Sequence, residues 1–342
     1  MHQIFENSKL GKIELKNRLI RSGTWEGLAK PDGNFDLSML PIYEELAQGG
    51  IGLIITGSTS VMSQDTATGT VLKLSKDLHI DSQEKLVSAI HAHNVPIVIQ
   101  LALWTYNEVN SQGKPKAKDL NNLSLEQLSG IRAAFVAAAL RAQKAGFDGI
   151  QIHAAHGSFL SRMSSPLFNQ RTDDYGGSIL NRTRLMVEIL DCIKAAAPDL
   201  TVLLKINASD DQEGGIEIED VKELCTLFQA HGGDGIEISA NNTALPAIKA
   251  HKNEAYLLPY ATQIRQAVSI PLIVVGGFRA LDTIKEALTN GPADYISLAR
   301  PLIREPDLPL KFKADKNYVA KCVSCNQCFG TFAHRCIFNK RS

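Results

Sequence analysis

Two histidines three residues apart, His153 and His156, close the short β-branched run GIQIHA, where a strand hands over to a loop. Two imidazoles converging on one substrate oxygen can each donate an N–H and stabilise negative charge that develops there. A lone histidine reads as a satisfied core residue. A pair at a strand end, followed by the polar, glycine-punctuated run NQRTDDYGGS, reads as a site. Lys205 lies inside the apolar run VLLKIN, where an ammonium needs an anionic partner or a lowered pKa. Protonated, it can hold an electron-rich heterocycle in its reduced, anionic state; a lysine snorkelling from a strand end is the structural alternative. Gln100, in IVIQLA, offers a donor and an acceptor to the edge of such a ring. Gly276 and Gly277 make a tight turn with exposed backbone N–H groups, and Ala299-Arg300 ends a later strand. Together these suit a phosphate, because a guanidinium pairs bidentately with phosphate oxygens.

A second cluster lies near the end of the sequence. Cys322, Cys325, Cys328 and Cys336 follow the spacing C-x2-C-x2-C-x7-C, the layout of a four-thiolate iron–sulfur cluster or a zinc knot. Three cysteines at i, i+3 and i+6 converge only if the backbone curls, and Asn326, Gln327 and Gly330 are compatible with a curl. A [4Fe–4S] cluster, a zinc ion and a reduced cysteine patch all remain open from spacing alone. Lys316, Lys321 and Lys340 would offset thiolate charge, although a solvated basic tail is the plainer explanation. Cys192 and Cys225 stand singly in helical patterns and read as buried thiols.

Eight short apolar runs must position these groups: residues 19–24, 53–58, 96–102, 149–154, 202–207, 235–240, 271–277 and 295–300. Each is followed by a helical pattern, directly or after a loop, and near-continuous runs such as PLIVVGG suit parallel strands covered on both faces. Eight alternations joined by right-handed crossovers predict a single α/β domain, a closed (β/α)8 TIM barrel over residues 1–314, with a Cys-rich extension over 315–342. Asp81 with Glu84, and Ser124 with Gln127, read as capping boxes before the second and third helices. The long connections 63–81, 105–123 and 158–178 all follow strands, on the face where barrel loops build sites.

Thirty-six basic side chains balance thirty-six acidic ones, so nothing at whole-chain level points to nucleic acid or an anionic membrane surface. A small-molecule partner is expected. No apolar run approaches the roughly 18 residues that span a bilayer, and the opening MHQIFENSKLGK lacks the layout of a signal peptide, which predicts a cytoplasmic protein. In that compartment the clustered cysteines point to metal rather than disulfides. Whether identical subunits assemble is left open.

The motifs LKNRLIRSGTWEG, Gln100-Leu101, HAAHG with SPLFNQRTDDYGGSILNR, KIN followed by GG, IVVGGF, SLARPLIREP and CVSCNQC span essentially the whole sequence. Together they resemble the old yellow enzyme family of FMN-dependent NAD(P)H:flavin oxidoreductases, in the branch related to 2,4-dienoyl-CoA reductase and trimethylamine dehydrogenase. The resemblance implies an FMN held by Gln100 and Lys205 at its ring, by Ser22, Gly23 and Thr24 beside the ring, and by Gly276, Gly277, Ala299 and Arg300 at its phosphate. It implies NAD(P)H as electron donor, a substrate oxygen bound by His153 and His156, and a [4Fe–4S] cluster on the four cysteines, with zinc as the alternative. An ene-reductase acting on an α,β-unsaturated carbonyl compound is the expected activity. Its rivals are an amine- or ether-oxidising dehydrogenase with an iron–sulfur exit for electrons, and a flavin-binding electron carrier without catalysis. Ser158 stands where many relatives place a proton-donating tyrosine, so Tyr106 or a water is expected to supply that proton. Lys205 replaces an arginine, Leu103 a histidine and Trp25 a small residue. No dinucleotide-binding domain is expected after the cysteine tail.

Overall fold

A computed structural model describes residues 4–27, 29–65, 70–109, 114–241 and 244–339. Lys340, one of the three lysines noted around the cysteines, lies outside the described residues. Eight parallel strands form the barrel: β1 (Leu19–Arg21), β2 (Leu53–Ser60), β3 (Ile97–Ala102), β4 (Gly149–Ala154), β5 (Thr201–Asn207), β6 (Gly235–Ser239), β7 (Leu272–Val274) and β8 (Tyr295–Leu298). Each pairs with its neighbours in chain order, and β8 pairs with β1 through Ile296 opposite Leu19, which closes the sheet. The outer ring carries α1 (Leu40–Gln48), α2 (Ile80–His91), α3 (Leu125–Lys144), α4 (Ile179–Ala196), α5 (Ile218–Ala230), α6 (Leu258–Arg265), α7 (Leu281–Thr289) and α8 (Leu308–Ala314).

Two apolar cores follow from the pleat. Side chains of alternate strand residues point outward and pack under the helices, as Ile54, Ile97, Ile150, Ile236 and Ile296 do. The opposite set points inward, where Ile20, Leu53, Ile55, Val98, Leu203, Ile273 and Tyr295 fill the lower half of the barrel. That inner core is completed by Leu10, Ile13 and Leu15 from an antiparallel hairpin of Ser8–Leu10 and Ile13–Leu15. The hairpin seals the N-terminal end of the barrel and is tied to it by Lys12 N donating to Thr201 Oγ1 at 3.0 Å.

The reciprocal cap at α3 forms as expected: Gln127 N donates to Ser124 Oγ, and Ser124 N donates to Gln127 Oε1 at 2.8 Å. The expected box at Asp81 and Glu84 does not form. A single 3-10 turn, Asp77–His79, precedes α2, and Lys76 N donates to His79 Nδ1 at 3.2 Å. The chain has therefore entered the helix before Asp81, which sits in its first turn, where a carboxylate still favours the helix dipole. Two strands, β1 and β7, fall furthest short of the expected runs. β7 stops at Val274 because Gly276 and Gly277 turn with φ of 140° and 79°, and β1 stops at Arg21, with Ser22 N making the last bond to Leu298 O. Connection 105–123 contains a small hairpin, Asn107–Val109 with Pro115–Ala117, that periodicity does not reveal.

Candidate active site

Above the apolar floor the barrel interior turns polar. Register places the Cα of Lys205 opposite His153 on one side and Glu237 on the other. Lys205 Nζ donates to Glu237 Oε1 at 3.1 Å and to Ser22 Oγ at 2.8 Å, and both charged side chains are buried. The anionic partner that a lysine in VLLKIN requires is thus Glu237, from GIEIS. Glu237 Oε1 also accepts from Ser22 Oγ at 2.6 Å and Ser297 Oγ at 2.8 Å, while Oε2 accepts from Gln151 Nε2 at 2.8 Å. Burial alone would push this carboxyl up, but Lys205 and the three neutral donors outweigh it and hold the pKa below the ordinary value. The network reaches the surface of the cavity through Gln100, whose Nε2 donates to Gln151 Oε1 at 2.7 Å.

Over this layer opens a cavity of about 230 Å³ at the C-terminal ends of the strands. His153 and His156 share one of its walls with rings 5.1 Å apart, edge to face. Burial, and then the nearby Lys205 charge, depress the His153 pKa to about 3; burial, His153 and Lys205 act the same way on His156. Both rings are therefore neutral near pH 7, each with one N–H to donate. His156 Nε2 is 2.8 Å from Ser239 Oγ, and its backbone N donates to Asn207 Oδ1 at 3.0 Å. That bond helps to hold His156 at φ 59°, a left-handed conformation that costs a non-glycine residue on the order of 1 kcal/mol. His153 Nδ1 is buried without a hydrogen-bond partner among the described residues. An orphaned polar atom in a residue that lines a cavity calls for an explanation, and a bound group that the protein itself does not supply is one.

The remaining walls come from three directions. Trp104 packs against His153 with ring centres 5.5 Å apart and donates from Nε1 to Ser58 Oγ at 2.8 Å. Gly23 lies so close to Gln100 that a Cβ there would meet its Nε2 at 2.7 Å and Thr56 O at 3.0 Å. The tail supplies Cys328, Phe329 and His334, and His334 stands edge-on to Trp25 at 5.0 Å. Arg300 bounds the cavity with Nη1 fixed by Leu245 O at 2.8 Å and by Asn326 Oδ1 at 2.6 Å, and Asn326 Nδ2 reaches Ala244 O at 2.7 Å.

Of the residues singled out from sequence, Ser22, Gly23, Thr24, Gln100, His153, His156, Lys205, Ala299 and Arg300 line this one cavity. Gly276 and Gly277 are not among its lining; Tyr256 is, with its ring against Gly277. Tyr106 lies outside the lining, packed against the helix-side core. Ser158 is fully buried, its hydroxyl donating to His153 O at 2.9 Å, so it anchors the histidine strand. Glu237 and Gln151 were missed, although a Glu and a Gln inside the apolar runs GIEIS and GIQIHA carry the same signal as Lys205. A planar heterocycle bearing a phosphate fits such a site: an amide and a cation lie below, neutral imidazoles at one wall and an arginine at another.

The four tail cysteines line a second, smaller cavity of about 20 Å³ that shares Arg300, Ile303 and Cys328 with the first. Asn326 and Ser324 curl the backbone around it with φ of 60° and 55°. Its thiols are of the type that suits iron–sulfur or zinc chemistry, and Ser324, Asn326, Arg300 and Arg304 line it beside them. Among the described residues no three His, Cys, Asp or Glu side chains are gathered closely enough to chelate one metal ion.

Comparison with known proteins agrees with this geometry. Residues 3–318 match the model of the NADH:flavin oxidoreductase / NADH oxidase family. An NADPH dehydrogenase of Halalkalibacterium halodurans is 34% identical over 90% of the chain and 93% of its own length. An NADH oxidase of Thermoanaerobacter brockii is 29% identical over 94% of the chain but 52% of its own length, so the chain spans about half of that relative. In fold, a 2-naphthoyl-CoA reductase structure superposes with a TM-score of 0.87 at 23% identity, over 97% of this chain and 55% of that one.

Proposed function

Because the chain belongs to the NADH:flavin oxidoreductase / NADH oxidase family, we propose that it is an FMN enzyme that passes hydride from NAD(P)H to the β-carbon of an α,β-unsaturated carbonyl compound. The observation that carries this reading is the pair of buried, neutral histidines beside Gln100 and Lys205, one with an unpartnered nitrogen. A bound FMN supplies the two-electron carrier. Lys205, held by Glu237, would offer the ring a positive charge that favours its electron-rich state, and Gln100, held by Gln151, would orient the ring edge. Arg300 and the neighbouring backbone would hold the phosphate. His153 and His156 donate to the carbonyl oxygen and stabilise the enolate charge that builds there; a neutral imidazole does so without giving up its proton. Ser158 is committed to a carbonyl and Tyr106 lies off the cavity, so the proton to the α-carbon comes from water or from Tyr256, which lines the cavity.

We also infer that Cys322, Cys325, Cys328 and Cys336 hold a [4Fe–4S] cluster; what supports this is their C-x2-C-x2-C-x7-C spacing and their place around one cavity that shares Cys328 with the flavin site, and because no three of them stand close enough to chelate a metal in this structure, loading would have to draw them together. Anaerobic purification followed by a visible spectrum, iron, sulfide and zinc analysis, and turnover of an enone panel with NADH and NADPH tests both parts. Protein that stays colourless after FMN addition sinks the flavin reading; zinc without sulfide replaces the cluster with a structural knot. His153→Ala combined with His156→Ala should abolish phenol charge-transfer binding, and normal enone reduction by that variant would make the histidines structural.

A further inference from the structure

The chain has two tryptophans, Trp25 and Trp104, and both line the cavity that holds His153 and His156. Neither indole keeps its polar edge for a ligand. Trp104 Nε1 donates to Ser58 Oγ at 2.8 Å, and Trp25 Nε1 donates to Thr70 O at 2.9 Å. With those N–H groups spent inside the protein, what the two rings offer is apolar surface and π-faces. Both rings are also braced. Asp65, itself buried, accepts from Trp104 N at 3.0 Å and Thr105 N at 3.1 Å, and Arg162 Nη2 donates to Trp104 O. Trp25, 39% exposed at the cavity mouth, packs nearly at right angles to His334 with ring centres 5.0 Å apart. Walls already held in place lose little freedom when a flat ligand settles on them. Charge is treated in the opposite way. No carboxylate lines the cavity among the described residues, and its lysine and arginine are bonded within the protein: Lys205 to Glu237, Arg300 to Leu245 O and Asn326 Oδ1.

We propose that the cavity selects a neutral α,β-unsaturated ketone or aldehyde whose double bond is conjugated to a planar aromatic ring, seated on Trp104 and Trp25. This names the substrate class of the site and rests on the reading of the protein as an enone reductase. Trp104 lies 5.5 Å, centre to centre, from His153, so the aromatic wall begins beside the group that receives the carbonyl oxygen. A ligand ring gains dispersion and π-contact from the indoles while its carbonyl oxygen takes the imidazole N–H groups. A carboxylate in place of the ketone would give up its water with no uncommitted cation to meet it.

The test is isothermal titration calorimetry of the oxidised, FMN-loaded protein without NAD(P)H, using matched probes. Benzylideneacetone carries the ring, ethylideneacetone replaces that ring by a methyl group, and cinnamate keeps the ring but exchanges the ketone for a carboxylate. Benzylideneacetone is expected to bind roughly tenfold tighter than either of the others. Trp104→Leu and Trp25→Leu should each cut its preference over ethylideneacetone by roughly threefold or more. W25L, changed at the exposed mouth, decides the matter if W104L fails to fold. Equal affinities for benzylideneacetone and ethylideneacetone in wild type, or an unaltered ratio in W25L and in a folded W104L, overturn the proposal. Cinnamate bound as tightly as benzylideneacetone overturns its requirement for a neutral ligand. Adding NAD(P)H separates the two readings: selective binding without reduction of the double bond overturns the reductase reading alone, and reduction of both ketones at equal affinities overturns the aromatic preference alone.

Discussion

Lys205 and Glu237 are each tolerable in the barrel only because of the other. Lys205→Met would leave a buried carboxylate with hydroxyl and amide donors but no cation, and should cost about 3–5 kcal/mol in urea unfolding. Adding Glu237→Gln should recover much of that loss without restoring flavin retention, which needs the charge. If K205M keeps wild-type stability, the pair is not what balances the barrel interior. His153 makes a second prediction, in pH. Its folded pKa is near 3, whereas an unfolded histidine titrates near 6.5, so between these values the unfolded chain binds the extra proton. The stability it contributes is complete above about 6.5 and is lost as pH falls toward 3. His156 has the same sign. Glu26, buried beside Arg21 and Tyr43, has the opposite one: burial raises its carboxyl to about 7, so from about 4.5 to 7 the folded chain holds the proton and stability falls as pH rises. Urea midpoints at pH 5 and 7 should therefore differ less in His153→Gln than in wild type, and an unchanged difference would refute the assignment.

The turn from β4 into the helix Phe159–Ser164 shows how little room an element leaves for redesign. Ser158 faces away from the cavity and satisfies His153 O, so Ser158→Tyr does not install a proton donor. It overpacks the turn and should cost about 1–3 kcal/mol in thermal melts; a stable variant with faster enone reduction would contradict this. Gly23→Ala should likewise displace Gln100 and weaken FMN retention, because its Cβ has no space between that amide and Thr56 O. Much at this scale was readable in sequence. Strand identity follows from apolar runs of four to eight residues, and Ser124 with Gln127 announces α3. What was not readable depends on partners distant in the chain: His79 pre-empts the cap at Asp81, and the orientation of Ser158 is set by a carbonyl that any residue could have offered. Tyr106 shares the same cause, since periodicity does not tell which way a residue on a long loop turns.

At the scale of the molecule, the tail is a wall of the active site as well as a cysteine loop. Asn326, between two cysteines, holds Arg300 and Ala244, so Asn326→Ala should weaken FMN binding by about 1 kcal/mol, roughly fivefold in Kd; unchanged affinity would show that the tail does not order the phosphate end. No helix among the described residues is long and apolar enough to cross a membrane. The closing seam between β1 and β8 has a further consequence for synthesis. Leu19 must pair with Ile296, and Arg18 Nη1 must reach Asp294 O at 3.1 Å, across nearly the whole chain. The hairpin that plugs the bottom leaves the ribosome before any barrel strand, yet the barrel it plugs has an open edge until the eighth strand emerges. The nascent barrel must therefore wait with its first and seventh strands unpaired on that side, exposed to proteases and to other nascent chains. Ribosome-arrested chains ending before Tyr295 should be digested quickly, and chains long enough to expose Leu298 outside the exit tunnel should resist.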